Sequence, residues 1–417
     1  MNAPVDDYPI ATSYVDFEID AAFDLDPYTP LLELAKRGPV VEGKDGTFGG
    51  VPVPDNFLFG LSGVQTFLAL SYDAWRQVAM DHETFSSEKG YELTLGKVFG
   101  KTLMNMDEPE HGRYKKLVLP SFSHRRVTNE LAKIAEPIID ECLNQIEKQG
   151  RGELIAGFAM KFPYLIVAKL FGVPPEFADE SERLVVASLR MGADPASAIA
   201  AFGQMNALYQ KIVDQHKAAP QDDLTSLLLR TEVDGEKLSD EEVVSFLKQI
   251  VAAGLDTTVR QFGNLIYLLL ENPEQFADLR ANPDLSESAI WESLRLIAAG
   301  GMIPRVALKD TEVCGVRIPK GAGVYAVIHV ANLDAIRWPD PLKFDIRRKR
   351  IPIATFGSGV HSCLGMSLAI AELSIAMRAV LSRLKNLRKD PVRWSDSIVR
   401  GYQLRSPTKL PVIWDAN

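Results

Sequence analysis

The sequence predicts a mainly α-helical fold with small, segregated β-sheets. Three observations predict it. Apolar residues recur at a period near 3.6 through a helical core spanning about residues 61–298 and 364–385. Short β-branched runs are confined to about 1–60 and to 305–330. Helices come first, then strands, then one more helix, which is not the alternation of a doubly wound α/β sheet.

The elements follow in order. Residues 1–60 are rich in Pro and Gly and read as extended segments with short strands. Asn129–Gln149 reads as one amphipathic helix, with Pro137 placed to bend it. Further helices are predicted over 156–171, 179–191 and 196–217. The strongest helix is Asp240–Glu271. Ser239-Asp240-Glu241-Glu242 forms a capping box with acidic side chains at the positive helix end, and Asn272-Pro273 stops it. At 1.5 Å per residue it reaches about 48 Å, enough to cross a domain of this size. Helices over 273–281 and 285–298 come next. RVALK, TEVCGVRI and GVYAVIHV then form a small sheet, followed by a Pro-rich meander, a Gly-rich loop at 356–365 and a last helix over about 364–385. No repeat or low-complexity linker divides the chain, so 1–417 reads as a single domain.

Composition excludes several function classes. The 417 residues are 46% hydrophobic and 24% charged, which is globular rather than disordered. The net charge of −9 argues against nucleic-acid binding, which needs a basic footprint. No stretch of about 18 uninterrupted apolar residues marks a membrane span, and the acidic N-terminus is no signal peptide. A soluble protein of the cytoplasm is expected. Cys142, Cys314 and Cys363 show no CxxC spacing, and the six histidines form no HExxH or HxH cluster. Any metal would rest mainly on one cysteine.

Phe356-Gly357-Ser358-Gly359-Val360-His361-Ser362-Cys363-Leu364-Gly365 is the segment with the most chemistry. Its glycines permit tight backbone and close approach of a flat ligand. Cys363 sits where a helix begins, so free N–H groups favour a thiolate, a soft metal ligand. Phe356 is placed to cover the sulfur. Taken alone, the loop also fits a buried structural cysteine, or a catalytic thiol whose base would have to be His361.

The loop resembles the haem-binding signature FxxGxHxCxG of the cytochromes P450 at every fixed position. The resemblance runs from about residue 20 to 417 and is nearest the soluble bacterial branch, with camphor-hydroxylase-like enzymes suspected as the nearest group. It implies the cytochrome P450 fold: a triangular prism with a long central helix and a buried haem. The cofactor would be non-covalent haem b ligated by the Cys363 thiolate, with O2 as co-substrate. In this family the thiolate pushes electron density toward O–O cleavage.

The long helix breaks its own rules at Ala253-Gly254-Leu255-Asp256-Thr257-Thr258, where a glycine, a carboxylate and two hydroxyls interrupt an apolar stretch. Either this turn lies in water or it lines a groove over a ligand. It resembles the family motif (A/G)GxDT, which implies that Thr257 hydrogen-bonds dioxygen and Asp256 helps supply protons. A cationic partner for Asp256 is expected on a neighbouring helix, with Arg183 and Arg190 as candidates.

Glu292 and Arg295 stand at i and i+3 on one helix face, a common surface pair. Their distance before the cysteine loop matches the family's structural ExxR pair, which supports the haem-binding core. His111 and Lys115 match the family's HxxxR, with Lys in place of Arg and bidentate geometry lost. With Arg305 and His361 they are the implied propionate contacts, and Gly365 closes the haem-binding loop. A local basic patch of Arg76, Arg113, Lys116 and Arg350, with Lys115, Arg348 and Lys349 near it, would steer an acidic partner. The resemblance implies an iron–sulfur ferredoxin with its NAD(P)H-dependent reductase. It further implies a substrate pocket of Tyr91, Phe99, Ala252, Ala253, Ala299, Met302, Ile398 and Val399, mostly apolar. The expected function is a monooxygenase inserting one oxygen atom from O2 into a C–H bond of a small to medium hydrophobic, terpenoid-like molecule. The alternatives are a peroxide-driven peroxygenase and a non-catalytic haem-based ligand binder.

Overall fold

The computed structural model describes residues 26–44, 47–48, 51–52, 64–92, 101–122, 124–188, 195–401 and 403–416. The expected Phe99 and Arg190 lie outside the described residues, as does most of the N-terminal extended segment.

The chain begins with α1 (Tyr28–Ala35) and the strands β1 (Val40–Lys44), β2 (Thr47–Phe48), β3 (Val51–Pro52) and β4 (Thr66–Ala69). Then come α2 (Tyr72–Met80), β5 (Phe85–Ser86), α3 (Ser87–Tyr91), α4 (Glu110–Val118) and α5 (His124–Asn144), which contains Pro137. A short β6 (Arg151–Glu153) precedes α6 (Phe162–Leu170), α7 (Pro175–Ser188), α8 (Pro195–Ala218) and α9 (Leu224–Arg230). The long α10 (Asp240–Glu271) leads to α11 (Pro273–Ala281) and α12 (Ser286–Leu296). The strands β7 (Met302–Ala307), β8 (Thr311–Val313), β9 (Val316–Ile318) and β10 (Gly323–Val327) follow, with α13 (Ile328–Ala331) closing the run. Last come α14 (Met366–Arg383), β11 (Lys385–Lys389), β12 (Val399–Arg400), β13 (Ser406–Pro407) and β14 (Pro411–Asp415).

Two expected elements differ. The predicted helix over 156–171 is a π turn at Ile155–Ala159 and a separate α6, with Pro163 at the new helix start. The predicted strand GVYAVIHV ends at Val327, and Ile328 turns into α13 as its amide bonds back to the Gly301 carbonyl.

The main sheet runs β3-β2-β1-β4-β10-β7-β5. β10 pairs parallel to β4, with Val324 opposite Phe67, and antiparallel to β7, with Val324 opposite Arg305. Early and late parts of the chain thus share one sheet, and fully buried β10 is its spine. One apolar core lies among the helices and others cover the two faces of the sheet.

α10 organises the helical part. The capping box holds: Glu242 N–H donates to Ser239 Oγ at 3.2 Å and Ser239 N–H to Glu242 Oε2 at 2.7 Å. The other Glu242 oxygen holds Arg113, and its carbonyl accepts from Tyr114 Oη at 2.6 Å, tying α4 to the start of α10. Around the helix middle pack α6, α8, α12 and α14. Gly359–Arg383 is long and apolar enough in composition to cross a membrane, but α14 packs against α5, α10 and α12 as a core helix does.

A buried ion pair joins α8 to α9. His216 Nδ1 meets the Ile212 carbonyl at 2.7 Å and Nε2 meets Asp223 Oδ2 at 2.9 Å. Both acceptors lack a proton, so both ring nitrogens donate and the ring is an imidazolium. The Asp223 contact holds the His216 pKa above its usual value. The hydrogen bonds from His216 and Ser226 hold Asp223 below its own, although burial opposes them. The histidine's stabilisation is complete below its unfolded pKa and is lost as pH rises through its folded one. The aspartate's is lost as pH falls through its depressed one. Thermal melts should therefore show stability lost as pH rises through the folded His216 pKa, a loss absent from His216→Gln.

Candidate functional site

The cysteine loop is closed by its own backbone. Cys363 N–H donates to the Phe356 carbonyl at 2.8 Å, Ser362 N–H to Gly359 at 3.1 Å and Gly357 N–H to Ala354 at 2.9 Å. Gly357 and Gly359 both hold φ +69°, and a Cβ on Gly359 would lie 3.2 Å from Met80 Cα at the end of α2. The Phe356 ring stands edge-on to Trp291, with centroids 5.6 Å apart.

Cys363 lies three residues before α14. Its thiol keeps accessible surface although protein surrounds it, so the sulfur faces internal space. The amides of Gly365 and Met366, with Lys115, pull its pKa down as the sequence suggests, yet burial outweighs them and holds the thiol above its usual value. A cation at the sulfur is what would reverse that balance. A Cβ on Gly365 would meet no atom within 4 Å, so open space continues beside the sulfur.

Four basic side chains gather near this space. The rings of His111 and His361 lie 4.4 Å apart. His361 Nδ1 meets the Leu103 carbonyl at 3.2 Å, and Lys115 Nζ donates to the Val360 carbonyl. Arg305 is 3% exposed, donates to the Pro304 carbonyl at 2.8 Å and shares a hydrogen bond with Tyr91. Among the described residues no carboxylate forms an ion pair with it. Burial, then Arg305, His111 and Lys115, push His361 down to about 3, and burial lowers Arg305, Lys115 and His111 as well. Both histidines are therefore neutral, and the cations left, half-buried Lys115 and buried Arg305, favour a nearby anion. Glu108, 3.2 Å from His111, supplies one at the edge. A ligand with two acidic groups fits the remainder.

Tyr91, expected in the substrate pocket, hydrogen-bonds the Arg305 side chain. Gly90 makes this possible, since a Cβ there would lie 2.6 Å from the Pro304 carbonyl oxygen. α3 can therefore press directly on β7.

On α10, Ala253 and Thr257 are open while most residues of the helix middle are buried. They stand one turn apart and share a face. Thr257 Oγ1 donates to the Ala253 carbonyl at 2.6 Å, bonding back along the helix. Asp256 is 3% exposed, and its partner among the described residues stands on its own helix. Arg260, one turn along α10, donates its Nε–H to both carboxylate oxygens at 3.0 Å. Arg183 is exposed and reaches Gln204 at 3.4 Å. The i, i+4 spacing was the available signal for Arg260. Glu372 on α14 is another unanticipated acid. It is 1% exposed, is hydrogen-bonded to Thr258, and burial pushes its pKa up to about 8, so it is protonated at neutral pH. A lone charge inside Leu368–Met377 was its trace in the sequence.

Glu292 and Arg295 form a buried pair, not a surface one. All five Arg295 N–H groups are used: three on the carbonyls of Pro341 (2.8 Å), Asn332 (3.1 Å) and Lys343 (3.2 Å), two on Glu292 at 2.8 Å each. Glu292 also accepts from Asp345 N–H at 3.1 Å and Arg348 Nε at 3.0 Å. The Asn332 side chain accepts from Ala354 N–H at 2.6 Å and donates to Thr355 Oγ1 at 2.9 Å. The pair thereby fixes the segment from which the cysteine loop departs. Asn332 carried no sequence signal.

The remaining expected residues divide. Ala252, Ala299 and Met302 are buried, Val399 is half-buried and Ile398 is 43% exposed. The basic patch is smaller than expected. Arg348 is bound to Glu292, Arg113 to Glu242, and Arg350 to Glu287 at 2.7 Å with its guanidinium 3.8 Å over the Trp291 ring. Lys116 lies 3.7 Å from exposed Asp234, and Arg76 is exposed on α2.

Comparison with known proteins gives a consistent result. The Cytochrome P450 family model matches residues 196–393. Nocardicin C N-oxygenase of Nocardia uniformis subsp. tsuyamanensis is 36% identical over 75% of this chain and 79% of its own length. Cytochrome P450 monooxygenase PikC of Streptomyces venezuelae is 30% identical over 94% and 92%. The crystal structure of a cytochrome P450 from Chondromyces apiculatus superposes with a TM-score of 0.84 at 25% identity, covering 95% of this chain and 97% of that one.

The buried pair generates a stability prediction. Arg295→Ala leaves Glu292 Oε2 and the carbonyls of Asn332 and Pro341 without their donor, with Arg348 still on Glu292 Oε1, and should cost about 3–5 kcal/mol in urea unfolding. Asn332→Ala should cost about 1–3 kcal/mol. Arg295→Lys should not restore the first loss, since an ammonium cannot reproduce the fork.

Proposed function

Because this chain belongs to the cytochrome P450 family, whose monooxygenases use O2 and a thiolate-ligated haem, we propose that Cys363 is its iron ligand and that Asp256 and Thr257 carry its proton chemistry. The residues fit the group. The Cys363 thiol, the open space beside Gly365 and a basic cluster whose buried Arg305 forms no carboxylate ion pair among the described residues match a flat, dianionic ligand bound through a metal. Lys115 and Arg305 would neutralise the two propionates and the neutral rings of His111 and His361 would hydrogen-bond them, with Tyr91 orienting Arg305. Bound there, the haem supplies reduction of O2 and transfer of one oxygen atom to substrate.

The chain's own residues supply proton control and positioning. Thr257 presents a hydroxyl on the open face of α10, and its bond to Ala253 fixes where the oxygen points. Asp256, the adjacent residue, is paired with Arg260 and can take up a proton from inner water and pass it on. Ala252, Ala299 and Met302 give an apolar wall that keeps competing water off. The substrate class that this wall favours is a small to medium hydrophobic molecule, terpenoid-like. Phe99 and Val399 would complete the pocket. The electron donor we propose is a ferredoxin meeting the surface of Arg76 and Lys116. The observation that carries the reading is the Cys363 thiol near Lys115, in a basic cluster whose buried Arg305 forms no carboxylate ion pair among the described residues.

Cys363→Ala should abolish the red-displaced absorption that the dithionite-reduced, carbon monoxide-treated protein gives. An unchanged spectrum would remove the ligand assignment. Thr257→Ala and Asp256→Asn should each lower substrate turnover about 10- to 100-fold while leaving that absorption intact. Arg76→Glu should raise the KM for reduced ferredoxin about 10-fold at low salt and much less at high salt. Equal turnover with hydrogen peroxide alone would instead favour a peroxygenase.

A further inference from the structure

Three polar side chains in the C-terminal half of α10 are buried where apolar ones would ordinarily pack. Arg260 and Gln261 are each 3% exposed and Asn264 is 0% exposed. Between them they reach α12 and two further chain segments, 297–301 and 403–406. Gln261 accepts from Ala299 N–H at 3.1 Å and donates to Ser293 Oγ at 3.1 Å. Asn264 donates to the carbonyls of Ile297 and Arg405, both at 3.0 Å. Arg260 Nη1 donates to Ser406 Oγ at 3.1 Å and lies 3.5 Å from the Leu404 carbonyl.

The two segments are bonded to each other. Arg405 N–H donates to the Ala299 carbonyl at 2.9 Å, Gly301 N–H donates to Gln403 at 2.8 Å, and Gly300 bridges Leu404. The helix, residues 297–301 and residues 403–406 therefore form one hydrogen-bonded layer. Ala299 lies within it and Met302 follows directly, so the layer carries part of the apolar wall assigned to substrate. Of the three α10 side chains, Arg260 also holds Asp256, through the same guanidinium that grips Ser406.

We infer that Arg260 is a positioning residue that couples the substrate wall to the acid Asp256. The guanidinium is rigid and planar, so its two arms cannot move independently. Pressure on 299–302 is passed to 403–406 through their shared bonds and reaches Arg260 at Ser406. A shift there changes the orientation in which Nε presents itself to Asp256. Burial makes the arrangement stiff, because breaking either arm strands a charge or a hydroxyl away from water. Proton delivery would then be tuned by the presence of substrate, not left to Asp256 alone. The inference rests on the reading of Asp256 as the proton-supplying acid.

Two variants separate the arms. Ser406→Ala removes the side-chain anchor and leaves the ion pair in place. Arg260→Lys keeps the charge but cannot span both partners. The readouts are product formed per electron pair consumed, the solvent deuterium isotope effect on turnover, the substrate Kd from the Soret shift, and amide exchange at 403–406. For both variants the product yield per electron pair should fall about threefold and the isotope effect should rise about twofold. Substrate Kd should stay within about twofold. Amide exchange at 403–406 should slow on substrate binding in the wild type and lose that response in Ser406→Ala. In the Asp256→Asn background, Ser406→Ala should have no further effect on the isotope effect. Wild-type yield and isotope effect in both variants, with Asp256→Asn defective, would overturn the coupling and leave the role of Asp256 standing. A fully active Asp256→Asn would remove both.

Discussion

Basic side chains gathered beside the cysteine loop set the terms for the rest of this structure. Arg305, Lys115, His111 and His361 are drawn together near the loop of Cys363, and each has its charge disfavoured by burial. Such a cluster cannot stabilise a fold by itself. It is a cost that a bound dianionic ligand would offset, as a metal cation would offset that of the thiol. With the haem held as proposed, fold and cofactor would form one electrostatic unit.

The geometry of that unit is set at a distance. Arg295 satisfies all its donors on Glu292 and on three carbonyls of the meander, and one of those carbonyls belongs to Asn332. The Asn332 side chain then fixes Ala354 and Thr355, from which the cysteine loop turns. The loop's own bonds carry this fixed start to Cys363. A pair that resembles many surface pairs in sequence thus acts as a buried keystone. It touches neither sulfur nor substrate.

The central helix combines two kinds of polar break. At Ala253 and Thr257 the interruption opens a face to internal space, and at Arg260, Gln261 and Asn264 it anchors the helix to the wall beside it. The break at Ala253 and Thr257 is legible as a motif. Arg260, Gln261 and Asn264 are indistinguishable in sequence from ordinary polar residues on a partly exposed helix. Only their partners, distant along the chain, show that these side chains are buried and tied to the wall.

The sequence by itself determined the helical class, the long capped helix, the cysteine loop and the acid–alcohol step, because each depends on neighbours within a few residues. Periodicity, capping and glycine-rich turns are local physics. The pairing of Asp256 with Arg260 was also local, at one helical turn, although the family resemblance directed attention to other helices. Tertiary structure alone decided that β4 pairs with β10, that Tyr91 serves Arg305, that Arg113 and Arg348 are bound inward, and that Glu372 holds its proton. Each of these depends on which surfaces meet after the chain has folded. Burial and the charge of a neighbour distant in sequence then fix a side chain's partner and its protonation, and neither is written in the residues on either side of it.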